Sequence, residues 1–503
     1  MIRACERFGP CLICVALATL TGLIGCDLAP TYRPPHYVLP DNFQGDGPFA
    51  VAQPSDLEPR GDWWEPFDDA LLDQFEKQLV ADNPDLAAMT EAYTQARDLA
   101  AEARAALFPQ ITAGALLSRE RESQNKPFRD VNSTAPVVAP DNLVGFTAVW
   151  EPDIWSEVRN RVRNQSRLAQ ASAATLAGLR LSLQAELASD YLALRGTDLQ
   201  VAIYRSAVES YQKAVDITTL RFKGKIASGI DVQRAKSQLA TTEELLEGSL
   251  ASRALLQHAI ATLAGNNPSS FSIAPEDPVR VTLREVPAFV PSALLERRPD
   301  IAAAERTMAA ANASIGVARA AFYPNISISG TAGFEDTGFN LASLPNSFWS
   351  IGASAAEPLF EGGLRRAELQ RSWSQYAQTR DEYRSTVLSA FKEVEDALAQ
   401  TTHLRSQVIA QDEAAAAADK AQSLAMQLYV GGLTNYLDVV VAQETALSAH
   451  IAAAQLWVQQ FQAEVGLIRA LGGGWSRAEL PTEKGVVPFG PLDYHFDRAP
   501  PSR

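Results

Sequence analysis

One architecture occurs twice along this chain, which restricts the fold to a pseudo-symmetric arrangement of a single unit. Asn83-Pro84-Asp85-Leu86-Ala87-Ala88 returns as Arg298-Pro299-Asp300-Ile301-Ala302-Ala303, and ARAALFPQI from Ala103 returns as ARAAFYPNI from Ala318, both at an offset of 215. Glu151-Pro152 then recurs as Glu357-Pro358, Phe222 and Asp231 as Tyr429 and Asp438, and Gly265 as Gly472, at offsets of 206 or 207. Two copies in register do equivalent structural jobs, which suits an assembled wall better than a single cleft.

The N-terminus limits the chemistry. Residues 1–25 open with Arg3 and Arg7 and carry an apolar run over 11–20, the pattern of a secretory signal. Leu23-Ile24-Gly25-Cys26 has the form of a lipobox, in which the thiol is lipidated and becomes the first mature residue. All four cysteines (5, 11, 14 and 26) lie at or before this point, so an exported chain keeps none for a disulfide, a metal or a nucleophile. With 44 Lys and Arg against 59 Asp and Glu, the net charge of −15 argues against a nucleic-acid partner. Beyond Cys26 no apolar run reaches the ~18 residues of a spanning helix, so a bilayer would have to be crossed by strands. Residues 27–62, rich in Pro, Gly and Asp, read as an extended tether with little core of its own.

Proline marks the helices. None of the 29 prolines lies between Pro152 and Pro268 or between Pro358 and Pro481, so both regions exclude a residue that costs ~3 kcal/mol inside a helix. Each repeat reads as short helix, strand pair, very long helix, break and return helix. Val387, Ala390, Val394, Ala397, Thr401, Leu404 and Val408 step by three and four, as do Leu447, Ile451, Ala454, Val458, Phe461, Val465 and Ile468. Such seams are those of coiled-coil packing, and Gly431-Gly432 between them lets the chain reverse into an antiparallel pair. A helix over residues 156–223 would be ~100 Å long at 1.5 Å per residue, more than a compact domain needs. The return helix 227–265 and a short helix such as 300–321 could stack end to end beside it. Segments 266–299 and 472–503 would then form a belt partway along the rod.

Between short and long helices the period changes to two. Ile326, Ile328, Gly330, Ala332 and Phe334 alternate with Asn325, Ser327, Ser329, Thr331 and Gly333. Trp349, Ile351, Ala353 and Ala355 alternate with Ser350, Gly352 and Ser354, and Val144, Phe146, Ala148 and Trp150 with Gly145 and Thr147. Strands of ~10 residues with one apolar and one small polar face suit an outer-membrane barrel, with external loops at 119–142 and 335–347. Four strands cannot close, and lipid tolerates no free edge, so copies must combine. Two copies give an eight-stranded barrel filled by side chains, whereas three give twelve strands and room for passage. Twelve helices at spacings of ~10 Å then ring a lumen of order 30 Å.

These residues resemble the TolC-type outer-membrane efflux family, specifically its lipoprotein branch serving resistance-nodulation-division pumps. The resemblance rests on Cys26 followed by Pro30-x-Tyr32-x-x-Pro35, Trp63-Trp64 with Phe67-x-Asp69-x-x-Leu72, and Asn83-Pro84-Asp85-Leu86. It continues through Arg297-Arg298-Pro299-Asp300-Ile301, Leu359-Phe360-Glu361-Gly362-Gly363, Tyr429-x-x-Gly431-x-x-x-x-Tyr436-Leu437 and Ala470-Leu471-Gly472-Gly473-Gly474-Trp475. It implies an α+β, mostly helical chain: a trimeric twelve-stranded barrel, four strands per chain, continuous with a periplasmic helical tunnel and a small equatorial belt. The domains would be a signal peptide (1–25), a lipidated tether (26–62), a first repeat (63–265, hairpin 108–152), a linker (266–297), a second repeat (298–472, hairpin 323–358) and a tail (473–503).

The implied role is a passive exit duct without cofactor. Its partners would be two further copies, a periplasmic membrane-fusion adaptor, an inner-membrane proton-driven transporter of the resistance-nodulation-division type, and outer-membrane lipid through the strands and the Cys26 acyl chains. By the same analogy the periplasmic gate lies at the helix reversals 222–231 and 429–442. Gly224, Gly229, Gly431 and Gly432 would supply backbone freedom, with Asp231, Tyr436, Leu437, Asp438 and Val441 around them. Three copies of Asp438 about a threefold axis would attract cations, and Leu437 would add an apolar ring. Two departures stand out: Val441 replaces a second aspartate common in relatives, and Asp27 follows Cys26, where in enterobacteria an aspartate holds lipoproteins at the inner membrane.

No GxSxG, HExxH or phosphate-loop pattern appears, and the five histidines are scattered. A structural coiled-coil lipoprotein would explain the rods and the lipid but not the alternating strands. Metal-ion efflux and type I protein secretion use similar ducts, and the residues alone leave the cargo open.

Overall fold

The computed structural model describes residues 26–35, 62–121, 123, 138–276, 297–338, 340, 343–487 and 490. Residues 1–25, read from the sequence as a secretory signal, and residues 36–61, 277–296 and 491–503 of the expected tether, linker and tail lie outside the described residues.

After a short helix Ala70–Asp82 (α1), the first repeat runs Pro84–Ala105 (α2), Gln110–Arg121 (β1), Val138–Trp150 (β2), Glu157–Lys223 (α3) and Gly229–Leu263 (α4). The second runs Pro299–Ala320 (α5), Asn325–Asp336 (β3), Ser347–Ala356 (β4), Leu364–Val430 (α6) and Tyr436–Ala470 (α7), and is followed by a single turn, Glu483–Val486 (α8). Corresponding helices have identical lengths: 22 residues for α2 and α5, 67 for α3 and α6, and 35 for α4 and α7. The first long helix matches the 156–223 read from the sequence to within a residue, and the second lies inside the proline-free stretch between Pro358 and Pro481. In the predicted seam of α6, Val387, Ala390, Val394, Ala397 and Thr401 are buried, as are Ala454, Phe461 and Val465 in that of α7.

The helices pack side by side. α3 lies against α2, α4, α5 and α7, while α6 lies against α5 and α7. The end-to-end stacking differs from the sequence expectation. α4 is capped by α2 of its own repeat, where the Asn83 side-chain amide donates to the Leu263 carbonyl at 2.9 Å. α5 instead meets α7, where Arg298 Nη1 donates to the Ala470 carbonyl at 2.9 Å. Arg298 also pairs with Asp300 (2.7 Å) and Glu393 (2.8 Å), so one guanidinium ties the joint to the long helix α6. The described parts of the expected belt lie against the helices: the carbonyls of Phe271 and Ile273 accept from Gln257 and Arg253 of α4, that of Pro481 from Gln170 of α3 and that of Val486 from Arg97 of α2.

The strands form one antiparallel sheet in the order β1-β2-β3-β4. The first external loop is shorter than expected, because β1 and β2 remain paired out to Arg121 and Val138. Pro140 is tolerated there because β3 pairs with β2 only from Asn142 inward, so β1 alone flanks the proline.

The largest core lies at the belt. Trp63, Trp64, Phe67, Leu72, Phe75 and Leu79 pack on Leu187, Tyr191 and Leu194 of α3 and on Phe461 and Val465 of α7. Asp69 caps α1, accepting from the amides of Leu71 (2.9 Å) and Leu72 (3.1 Å), and its other carboxylate oxygen accepts from Tyr191 at 2.5 Å. Within α1, Glu76 is fully buried, and neither carboxylate oxygen has a hydrogen-bond partner among the described residues. Burial, reinforced by the negative charge of Asp62, pushes its pKa up to about 9.

The native state therefore holds Glu76 neutral. Its contribution to stability is full below the unfolded-state pKa of 4.5 and is lost as pH rises towards 9. Glu76→Gln is expected to remove a slope of up to ~1.4 kcal/mol per pH unit across that window and to raise the melting temperature at neutral pH. Thermal unfolding at several pH values checks this, and an unchanged slope contradicts it.

Candidate functional site

The sheet has two chemically distinct faces. Thr112, Thr147, Thr331 and Ser350 pair in one row across all four strands, with Thr331 and Ser350 hydroxyls 2.8 Å apart. Ser327 and Ser354 make the same contact, also at 2.8 Å, nearer the helices. On the opposite face Ala113, Phe146, Ala332 and Trp349 form one row and Ile111, Ala148, Gly330 and Ile351 the next. Ile111, Phe146, Trp349 and Ile351 are all exposed, a contiguous apolar face of the size that marks an interaction or membrane surface. β1 and β4 are free edges. Because the order is an antiparallel meander, β4 runs opposite to the β1 of a following copy, the direction that continues the ladder.

At the far end of the long helices lie the two reversals. Both close with the same backbone bonds: Ile226 N to Arg221 O (2.8 Å) and Lys225 N to Phe222 O (3.0 Å), then Leu433 N to Leu428 O (2.9 Å) and Gly432 N to Tyr429 O (3.0 Å). These are Schellman closures, which need one left-handed residue. Gly432 supplies it at φ 77°, but its counterpart is Lys225 at φ 57°. Gly224 and Gly431 instead end α3 and α6 with φ of −72° and −68°, and Gly229 is the first residue of α4. Of the four glycines singled out from sequence, only Gly432 uses the conformation that favours glycine.

The acidic residues start helices. Ser228 and Asp231 form a capping box at α4. At α7, Asn435 accepts from the Asp438 amide at 3.2 Å, and the Asp438 carboxylate accepts from the Thr434 hydroxyl. Asp438 remains exposed beside exposed Leu437 and Val441. Ile226 and Leu433, at equivalent points of the two turns, are 70% and 78% exposed, and Ile230 is exposed next to them.

Beneath this apolar tip Tyr429 and Tyr436 are buried with Ala214, Val215, Ala235 and Val439, their rings 5.2 Å apart. Burial, together with neighbouring Tyr429, Tyr211 and Asp231, pushes the Tyr436 phenol up to about 12. Arg221 lies 4.7 Å over the Tyr429 ring and donates to the Val430 carbonyl at 3.0 Å, while the Tyr211 hydroxyl donates to the Gln443 carbonyl at 3.1 Å. These contacts lock the two hairpins together. Sequence reasoning missed Arg221; the signal was its pairing with Leu428 in the second copy, a break in the repeat beside the turn.

The segment after Cys26, read from the sequence as an extended tether, has no helix or strand over residues 26–35 and lies along the helices. Asp27 pairs with Arg163 and accepts from Asn160 at 3.0 Å. Leu28 O accepts from Arg319 (3.0 Å), Pro30 O from Asn312 (2.8 Å), and the Tyr32 hydroxyl donates to Glu305 (2.6 Å). Asn160 lies in the first turn of α3 and Arg319 in the last turn of α5, so the exposed Cys26 sits beside the helix ends that adjoin the sheet. Among the described residues, no cluster of three His, Cys, Asp or Glu could hold a metal.

Comparison with known proteins agrees with this architecture. A family model described as "Outer membrane efflux protein" matches residues 77–266 and 290–473, one block per repeat. The chain is 30% identical to the pyoverdine export outer membrane protein OpmQ of Pseudomonas aeruginosa, covering 85% of this chain and 90% of that protein. It is 29% identical to outer membrane protein OprJ of the same species, covering 93% and 96%. The solved outer-membrane channel OprN superimposes with a TM-score of 0.80 at 29% identity, over 90% of this chain and all of that one. A matched family model over both repeats and a shared channel fold lead to one conclusion: the chain belongs to the outer membrane efflux protein family.

Proposed function

We propose that three copies of this chain form a passive exit duct of a tripartite efflux system, carrying small molecules across the outer membrane. The observation that carries this is the four-stranded sheet with an apolar outer face and two free, antiparallel-compatible edges, continuous with helices of 67 residues. Such a sheet is stable in lipid only when copies close it, and three copies give twelve strands and a bore. Kinship with a pyoverdine export protein supports a small-molecule cargo. Energy comes from an inner-membrane transporter of the resistance-nodulation-division type, reached through a periplasmic adaptor.

The adaptor docks on the apolar tip around Ile226, Ile230 and Leu433, while Leu437 lies with Asp438 at the constriction. Cys26 carries acyl chains that insert in the periplasmic leaflet; its place beside the sheet-proximal helix ends supports this. Each acyl CH₂ adds ~0.8 kcal/mol, secondary to the barrel itself.

Three Asp438 carboxylates form a cation-selective constriction at the tip. Purified assemblies in planar bilayers are expected to conduct ions with a cation preference, and Asp438→Ala is expected to weaken that preference while raising conductance. Loss of Asp438 also removes a helix-start contact worth about 1 kcal/mol, too little to unfold the chain. Absence of conductance in the wild-type protein contradicts the duct; unchanged selectivity in Asp438→Ala contradicts the ring.

A further inference from the structure

We propose that Leu359 and Phe360 of one copy pack onto the turn around Phe108 of a second copy, making the joint between adjacent copies where barrel meets tunnel. This rests on the three-copy assembly above and assigns the residues that hold it.

The argument is one of internal equivalence. Within the chain, the passage from β2 into α3 packs on the passage from α5 into β3: Trp155 stacks on Tyr323 with ring centroids 4.7 Å apart, and its Nε1 donates to the Pro324 carbonyl at 2.9 Å. The repeat aligns Tyr323-Pro324 with Phe108-Pro109 and Glu151-Pro152 with Glu357-Pro358. Leu359 and Phe360 therefore follow the glutamate-proline pair where Asp153 and Ile154 do, one residue before the position of Trp155. In one chain this second joint is half-made at each end. Leu359 and Phe360 are 95% and 91% exposed, and Phe108 is exposed too. They lie beside β4 and β1, the two free edges, so the step that pairs β4 with the next β1 also brings them together.

The turn is preset for contact. Arg365 holds it by pairing with Glu361 at 2.6 Å and Glu357 at 3.8 Å, and by donating to the Pro358 carbonyl. A rigid turn presenting two large apolar side chains is a preorganised interface anchor, since little ordering remains to oppose binding. A second copy is favoured over lipid because the aromatic of the equivalent turn, Trp155, set one residue further on than Phe360, packs on protein within the chain.

The test is cross-linking in outer membranes with a short bismaleimide, using Phe108→Cys combined with Phe360→Cys; Cys26 is the only cysteine outside the signal. Most of the double variant is expected as linked dimers and trimers, with neither single variant linking. Trp155→Cys with Tyr323→Cys is the control, linking within one chain. As a second arm, Leu359→Ser combined with Phe360→Ser is expected to retain its helix content but dissociate at a lower temperature. If native mass measurement still gives three copies while the pair does not link and a lipid-soluble maleimide labels Phe360→Cys, the joint is refuted and the assembly stands. If native mass gives single copies, both fall together.

Discussion

Replacing Arg195 with alanine is expected to destabilise the chain by about 3–5 kcal/mol, the cost of leaving a buried charge network without one partner. Arg195 is buried in the middle of α3 and donates to the Tyr191 hydroxyl (3.1 Å), to Asp198 (3.1 Å) and to the Ala274 carbonyl (3.0 Å). Asp198, also buried, accepts from Arg253 of α4 at 2.6 Å, and Arg253 reaches the Ile273 carbonyl at 2.9 Å. Two guanidiniums therefore share one carboxylate and fasten residues 273 and 274 to the α3–α4 pair. Without Arg195, Asp198 keeps a single cation and the Ala274 carbonyl loses its donor. Arg195→Lys keeps the charge but not the forked geometry, so an intermediate loss is expected. Combining Arg195→Ala with Asp198→Ala should cost less than the sum of the two. Thermal unfolding followed by circular dichroism reads all three; an Arg195→Ala variant that melts with the wild type contradicts the account.

The second large effect concerns two adjacent residues with opposite outcomes. Phe146 is 63% exposed and lies midway along the paired stretch Asn142–Trp150, in the row with Ala113, Ala332 and Trp349. If that face meets lipid, Phe146→Arg places a guanidinium near the midplane at a cost of about 2–4 kcal/mol per copy, felt three times in one barrel. Assembly in the outer membrane is expected to fail. Thr147→Arg, one residue on, points into the hydroxyl row with Thr112, Thr331 and Ser350. It is expected to assemble and to shift ion selectivity towards anions, because three cations then line the lumen. Heat-modifiable mobility of outer-membrane fractions measures assembly, and bilayer recordings measure selectivity. Equal behaviour of the two variants would mean that the faces are assigned wrongly.

The repeat, the long helices and the two-faced strands were legible because each rests on a local rule: matching offsets, proline exclusion and a period of two. Which short helix stacks on which return helix was not. Chain order puts α5 after α4, but the joints are decided by Asn83 reaching Leu263 and Arg298 reaching Ala470, contacts across 180 and 172 residues. The Arg195, Asp198 and Arg253 network was equally hidden, since charges spaced three apart on a helix look like a solvated face until the neighbouring segment covers them. At the tip, glycine was the visible signal for reversal, yet Lys225 takes the left-handed position in the first turn. There the closing hydrogen bonds outweigh a modest steric cost. Tyr429 and Tyr436 were visible as repeat and motif residues, but their burial together depends on how two hairpins meet.

The central claim is that three copies jointly enclose a bore that one copy cannot. Native mass measurement and electron microscopy of the detergent-extracted, full-length protein test it most directly. The account predicts three copies per particle and an elongated rod with a continuous axial channel, wider through the helical section. Stable single copies, or three-copy particles that are solid along the axis, would contradict it.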